Sequence, residues 1–267
     1  MPYTRRAMSE VIYGIHAIGE ALKRGGRRFD YIAVSRDRTD NRLQKIMDDC
    51  RAQGISVRFV PREDIDRETR TNTHQGVMAV TSRKEYTGVE ELLENKNGEY
   101  SFLLVLDGVE DPHNLGALIR SADGAGVDGV VIPERRAAGV TGAVVKASAG
   151  ASEHLPVARV VNIARTIDEL KQQNVWVVGL DERGTSSYDE VDYKMNCAIV
   201  LGAEVKGLHD LVRRKCDMLV SIPMMGAISS LNVSVAGGIV MYEVQRQRRQ
   251  AQKPVAKSAA KKKKKEE

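Results

Sequence analysis

From residue 101 onward the chain alternates between short apolar runs and segments with helical spacing. The runs SFLLVL, DGVVIP, LPVARV, VWVVGL, NCAIVLG and DMLVSIP read as strands. Several are almost continuously apolar, as expected of a parallel sheet covered on both faces. Helical patterns fall between them at 114–124, about 140–150, 162–173, 207–213 and about 229–249. Residues 10–82 carry a different pattern. VIYGIHAIGEALKRG places Ile15, Ile18 and Leu22 at helical spacing, YIAVSR, SVRFV and GVMAVTS read as strands, and 41–53 reads as a polar-faced helix. Glycines punctuate this first unit at Gly14, Gly25, Gly26 and Gly54. The reading is therefore an α/β chain of two units: a small α/β domain over 1–82, a polar linker over 83–100 with room for one short helix, and a larger domain with a mostly parallel sheet over 101–250. Residues 251–267 are lysine-rich, of low complexity, and expected to be a disordered tail.

Charge sharpens this division. The net formal charge is +5, but it is unevenly placed. The last 17 residues hold seven Lys and two Glu, residues 1–82 hold 15 basic and 11 acidic side chains, and residues 83–250 hold 19 basic and 23 acidic. A basic N-terminal unit and a basic tail suit a polyanionic partner. For the tail, a solvated solubilising segment is an equally good account. Aromatic residues make up 4% of the chain, too few for the stacking platform of a single-strand binder. Three widely spaced cysteines without a CxxC, and five histidines without an HxxxH, suggest neither a disulfide framework nor a metal site. No segment has the plan of a signal peptide or the length of a membrane span, so a cytoplasmic protein with no membrane partner is expected.

Three stretches carry candidate chemistry. In DGVEDPHNLGALIRSADGAGV, Pro112 keeps Asp111 out of the helical region. Asn114 is placed to cap the next helix, with Leu115, Leu118, Ile119 and Ala122 on its buried face and Arg120 on another. A helix N-terminus and a guanidinium just past a buried strand suit an anionic phosphate, because ligands of open parallel sheets bind beyond the strands' carboxyl ends. In LGAEVKGL, Gly202 and Gly207 flank Glu204 in a loop shaped for close approach of a ligand. In IPMMGAISSLNVSVA, Ser229, Ser230 and Asn232 stand at the mouth of the last helix, more small polar residues than a cap needs, and Met224 and Met225 could line an apolar pocket. Taken singly, each stretch also reads as an ordinary cap, turn or packed loop. The GAGVDG run at 124–129 fits a dinucleotide fingerprint by spacing alone. It follows a helix and precedes a strand, the reverse of what that site requires.

Together and in this order, the three stretches resemble the three motifs of the SpoU (TrmH-type) ribose 2'-O-methyltransferases of the SPOUT class. Asn114 and Arg120 match the first; Gly202, Glu204, Gly207 and Leu208 the second; Ile222, Pro223, Met224, Ser230, Leu231, Asn232, Val233, Ser234 and Ala236 the third. YGIHAIGEAL and HQGVMA also look like the ribosomal-protein-like (L30e-type) RNA-binding domain that many members carry ahead of the catalytic domain. This two-domain plan looks most like the members that make 2'-O-methylguanosine in the peptidyl-transferase loop of large-subunit (23S) ribosomal RNA. A transfer-RNA guanosine methyltransferase, a resistance-type ribosomal adenosine methyltransferase and a non-catalytic ribosome-assembly factor are the alternatives.

The resemblance implies a homodimer acting on ribosomal RNA with S-adenosyl-L-methionine as cofactor and no metal. It also implies a C-terminal sheet threaded into a trefoil knot, which nothing in the periodicity suggests, since knots are nearly absent among folds. It assigns Asn114, Arg120, Glu204, Ser230 and Asn232 to catalysis, and Gly202, Ile222 and Leu231 to the cofactor. Arg120 suits holding a phosphate and favouring a developing alkoxide better than acting as a base, because its pKa exceeds about 12. Arg24, Arg27, Arg28, Arg36 and Arg38 are the candidate RNA contacts of the first domain. Val205 stands where the family usually has glycine, which puts the geometry of that loop in question.

Overall fold

A computed structural model describes residues 9–38, 40–204 and 206–252. The expectations for Val205 and for the lysine-rich tail beyond residue 252 lie outside the described residues. In the first unit, β1 (Ser9–Tyr13), α1 (Ile15–Arg24), β2 (Phe29–Ser35), α2 (Asn41–Ala52), β3 (Val57–Val60), α3 (Arg62–Thr69) and β4 (Val77–Ser82) build a four-stranded sheet of order β1-β4-β2-β3. The helical pattern read from residue 10 conceals β1. Gly14, at φ 96, separates that strand from the helix, and a side chain in this backbone conformation would be strained. α3 was also hidden, because its single buried residue, Ile65, gives no periodicity to read.

The second unit holds β5 (Phe102–Asp107), α5 (Pro112–Ala125), β6 (Gly129–Pro133), α6 (Gly142–Ala147), α7 (Ala151–His154), β7 (Val157–Val160), α8 (Ile163–Gln172), β8 (Trp176–Leu180), β9 (Ser186–Ser187), β10 (Cys197–Gly202), α9 (Asp210–Lys215), β11 (Met218–Ser221) and α10 (Val233–Ala251). Its seven strands run parallel in the order β7-β6-β5-β10-β8-β11-β9. Every residue of β5 and of β10 is buried, which explains why these central strands read as unbroken apolar runs. Because the strands are parallel, the carboxyl ends of β5, β8, β10 and β11 open onto one edge, with Asp107 in register with Gly202. α10 runs back along the sheet. Near its far end Arg248 donates to the carbonyls of Tyr100, Ser101, Tyr193 and Met195, which fixes that end beneath β5 and β10.

The two units share one apolar core: Ile12, Ile18 and Ile32 belong to the same buried cluster as Leu104, Leu115 and Val144. The segment between them, which includes α4 (Val89–Glu94), is docked rather than free. Leu92 is buried, Thr87 pairs with Ala158 beside β7, and Tyr86 Oη accepts from the Val140 amide. Arg27 is a correction to the sequence reading. It is 6% exposed, forms a two-point bond with Glu153 of α7 at 2.9 Å and also reaches Glu10 at 2.6 Å. It joins the two units and is not available to RNA. Arg24, Arg28 and Arg36 are exposed, and Arg38 is half-buried.

Candidate active site

The first motif is built differently from the sequence expectation. Asp111 caps α5, its carboxylate accepting from the His113 amide at 2.9 Å, and Pro112 occupies the first turn, where a missing N–H costs nothing. Asn114 therefore sits inside the first turn with its amide free for other work, and it is nearly buried. The side-chain amide donates to the Glu204 carboxylate, and its carbonyl oxygen accepts from Asn232 Nδ2 at 3.1 Å.

Asn232 is the cap of α10. Its Oδ1 accepts from the Ser234 amide at 2.9 Å and from the Ser234 hydroxyl at 2.6 Å. α10 thus begins after Asn232, and Ser229 and Ser230 lie on the loop before it rather than in its first turn. A single hydrogen-bonded chain, Ser234 to Asn232 to Asn114 to Glu204, brings all three motifs together, its Asn232–Asn114 bond joining residues 118 positions apart.

The glycine loop after β10 follows from backbone packing. A Cβ at Gly202 would overlap the Gly207 backbone, Gly207 has φ 64, and Ala203 and Gly207 exchange two backbone bonds at 3.0 and 2.8 Å. Beside it, Asp107 at the end of β5 accepts from the His209 amide at 2.8 Å, with His209 Nδ1 3.0 Å from its other oxygen.

A cavity of about 250 Å³ opens between these loops, beyond the carboxyl ends of β8, β10 and β11. Gly202, Glu204, Ile222, Ser230 and Leu231, all singled out from sequence, line it. So do Asp181, Arg183 and Lys206, which the sequence reading missed. Asp181 is buried, and its carboxyl grips Arg183 Nε at 2.8 Å and Nη2 at 2.9 Å. Hydrogen bonds from Arg183 hold the Asp181 carboxyl below the usual carboxylate range. Its position just after a parallel strand was the one available signal.

Of the five residues that the resemblance assigns to catalysis, Arg120 is the one that joins neither the hydrogen-bonded chain nor the cavity lining. It is exposed, lies roughly 9 Å further along α5 than Asn114, and makes no side-chain hydrogen bond or ion pair among the described residues. No group of three or more His, Cys, Asp or Glu among the described residues could hold a metal ion, and no helix among them is long and apolar enough to cross a membrane.

Comparison with known proteins gives this geometry a lineage. Residues 101–242 match the SpoU rRNA methylase family, and residues 11–87 match the RNA 2'-O ribose methyltransferase substrate-binding family. A putative TrmH-family tRNA/rRNA methyltransferase, YacO, of Bacillus subtilis is 43% identical over 90% of this chain and 96% of its own length. The 23S rRNA (guanosine-2'-O-)-methyltransferase RlmB of Pectobacterium atrosepticum is 43% identical over 90% of this chain and 99% of its own. Among solved structures, the SpoU methyltransferase AviRb of Streptomyces viridochromogenes, crystallised with AdoMet, superposes with a TM-score of 0.76 at 26% identity, covering 92% of this chain and 93% of that one. With both of its units matched and relatives of this identity along most of its length, the chain belongs to the SpoU rRNA methylase family.

Proposed function

We propose that the protein transfers a methyl group from S-adenosylmethionine to the ribose 2'-oxygen of a guanosine in 23S ribosomal RNA. The observation that carries this reading is the Ser234–Asn232–Asn114–Glu204 chain. It ties polar groups from three distant segments together and ends on Glu204, which lines a cavity at the sheet's carboxyl edge. The residues present fit the cofactor. Gly202, without a side chain, lets the loop backbone close against Gly207 at the cavity wall, Ile222, Leu231 and Val233 offer apolar surface for a flat base, and Ser230, Arg183 and Lys206 offer polar partners at the rim.

S-adenosylmethionine supplies a methyl already activated by its sulfonium. What remains for the chain is to align the ribose oxygen with that methyl and to manage one proton and one charge. Arg120 holds the phosphate next to the target ribose and stabilises negative charge growing on the 2'-oxygen. A substrate phosphate oxygen or a water takes the hydroxyl proton, since a guanidinium has none of the basicity required. Asn114 and Asn232 fix the Glu204 carboxylate, and Ser230 borders the ribose. Gly202, Ile222 and Leu231 hold the cofactor. Residues 9–82 select the RNA, residues 83–100 join the units, and the C-terminal strands thread a trefoil knot.

The active form is a homodimer. Met225, Ile228, Val235 and Tyr242 are all exposed, and Val235 and Tyr242 lie two helical turns apart on one face of α10. Burying this apolar face against a second copy covers it. A cytoplasmic location, where ribosomal RNA is made accessible, completes the reading.

Incubation with labelled S-adenosylmethionine and separated unmodified 23S, 16S and transfer RNAs tests the proposal. Label entering 23S RNA alone supports it. Label entering transfer RNA alone contradicts the assignment of substrate.

A further inference from the structure

We infer that Arg135 and Arg136, on the loop between β6 and α6, form a phosphate contact that carries the RNA backbone from the first unit to the Asn114–Glu204 site. The inference rests on the RNA reading of that site. Four observations support it.

First, the loop lies where the two units and the site meet. The Ala138 amide donates to the Val109 carbonyl at 2.9 Å, on the connection that leads to Asn114. The Val140 amide donates to Tyr86 Oη at 3.1 Å, on the segment that leaves the first unit. Second, the Arg136 carbonyl closes on Gly108. A Cβ there would stand 3.8 Å from that oxygen and 3.4 Å from His209 Cε1, so the β5, β6 and β10 loops converge at this glycine. Third, Arg136 has φ 55, a conformation that a non-glycine residue adopts at a cost and that tends to persist where a site over-determines it. Fourth, Arg135 and Arg136 are exposed and make no side-chain hydrogen bond or ion pair among the described residues. The neighbouring Arg159 behaves otherwise, donating to the Glu134 carbonyl at 2.9 Å.

Residues 83–250, the connecting segment and the second unit together, hold 23 acidic and 19 basic residues. Two adjacent unpaired guanidiniums are therefore a local reversal of that field. Basic side chains also stand at the seam with the first unit. Arg38 packs against Gly76, and the adjacent Gln75 accepts from Lys146 Nζ at 2.6 Å, at the end of α6.

The test compares the full chain with a double variant, Arg135→Gln with Arg136→Gly, whose glycine suits the backbone at φ 55. Arg165→Gln, which removes an exposed arginine paired with Glu169 on α8, is the control. Binding of an unmodified 23S RNA transcript is measured over a range of salt, with cofactor binding and thermal unfolding alongside. The expected result is RNA affinity about tenfold weaker and a slope of log affinity against log salt shallower by about two, one per lost phosphate contact. Cofactor affinity and unfolding stay unchanged, and the control behaves as the unaltered chain. Affinity and slope equal to the unaltered chain's would overturn the proposal, as would an unaltered chain whose RNA binding is insensitive to salt. Salt-sensitive binding without methyl transfer by the unaltered chain would instead overturn the reading of the active site.

Discussion

At the scale of the residue, the site depends on the orientation of one carboxamide. Asn114 can donate to Glu204 only because its other end is occupied by Asn232. Asn114→Asp replaces the donor by a second carboxylate facing the first. We expect a fall in kcat of about 10- to 100-fold at neutral pH. Two adjacent carboxylates raise the pKa of the pair, so acidification returns a proton to it and restores a donor. The loss in this variant should shrink as pH falls, and a pH–rate profile checks that sign. Arg120→Lys keeps the charge and loses the planar fork, and kcat should drop by about 100-fold or more with cofactor affinity unchanged. Near-normal turnover would remove Arg120 from the mechanism.

The sequence displayed these residues unevenly. Asn114, Glu204 and Asn232 stand out because each lies at a strand-to-helix junction. Its position suggests Asn114 as the cap, but the Asp-Pro pair just before it supplies both the cap and the first turn. Arg183 escaped notice because its partner Asp181 sits two residues away on a loop without pattern. Arg27 was misread because Glu153, which neutralises it, lies 126 residues further on.

At the scale of the element, the active site is held by close helix contacts. A Cβ on Gly116 would overlap the Ala147 side chain and come within 3.0 Å of the Ala147 carbonyl carbon and the Ser148 nitrogen, so α5 and α6 touch at this point. Gly116→Ala should push the helices apart at a cost of about 1–3 kcal/mol. Asn114 lies two residues before it on the same helix, so activity should fall along with the melting temperature. Thermal unfolding and methyl transfer on the same preparation check both. Elements of the buried sheet were readable because continuous burial writes continuous apolar runs. β1 was not, because its apolar residues lead straight into those of α1 and only Gly14 divides them. The order in which β10 enters between β5 and β8 leaves no mark on local pattern at all.

At the scale of the whole molecule, the two units behave as one body, with a shared core and the buried Arg27 bridge between them. The polar composition of residues 83–100 predicts a free linker, and it carries no mark of the long-range contacts by which Tyr86 and Leu92 pack down. α10 also presents an exposed apolar face. Val235→Glu should leave the monomer folded, since Val235 is 50% exposed, and should shift sedimentation from dimer to monomer with loss of methyl transfer. A variant that stays dimeric and active would contradict the proposed interface.

The most direct test of the central claim is the identity of the product. Unmethylated 23S ribosomal RNA is treated with the protein and labelled S-adenosylmethionine, digested to nucleosides, and the labelled species identified. The account predicts 2'-O-methylguanosine as the single labelled nucleoside, absent when Arg120→Lys replaces the unaltered chain. Label on a base, or on the ribose of another nucleoside, would contradict it.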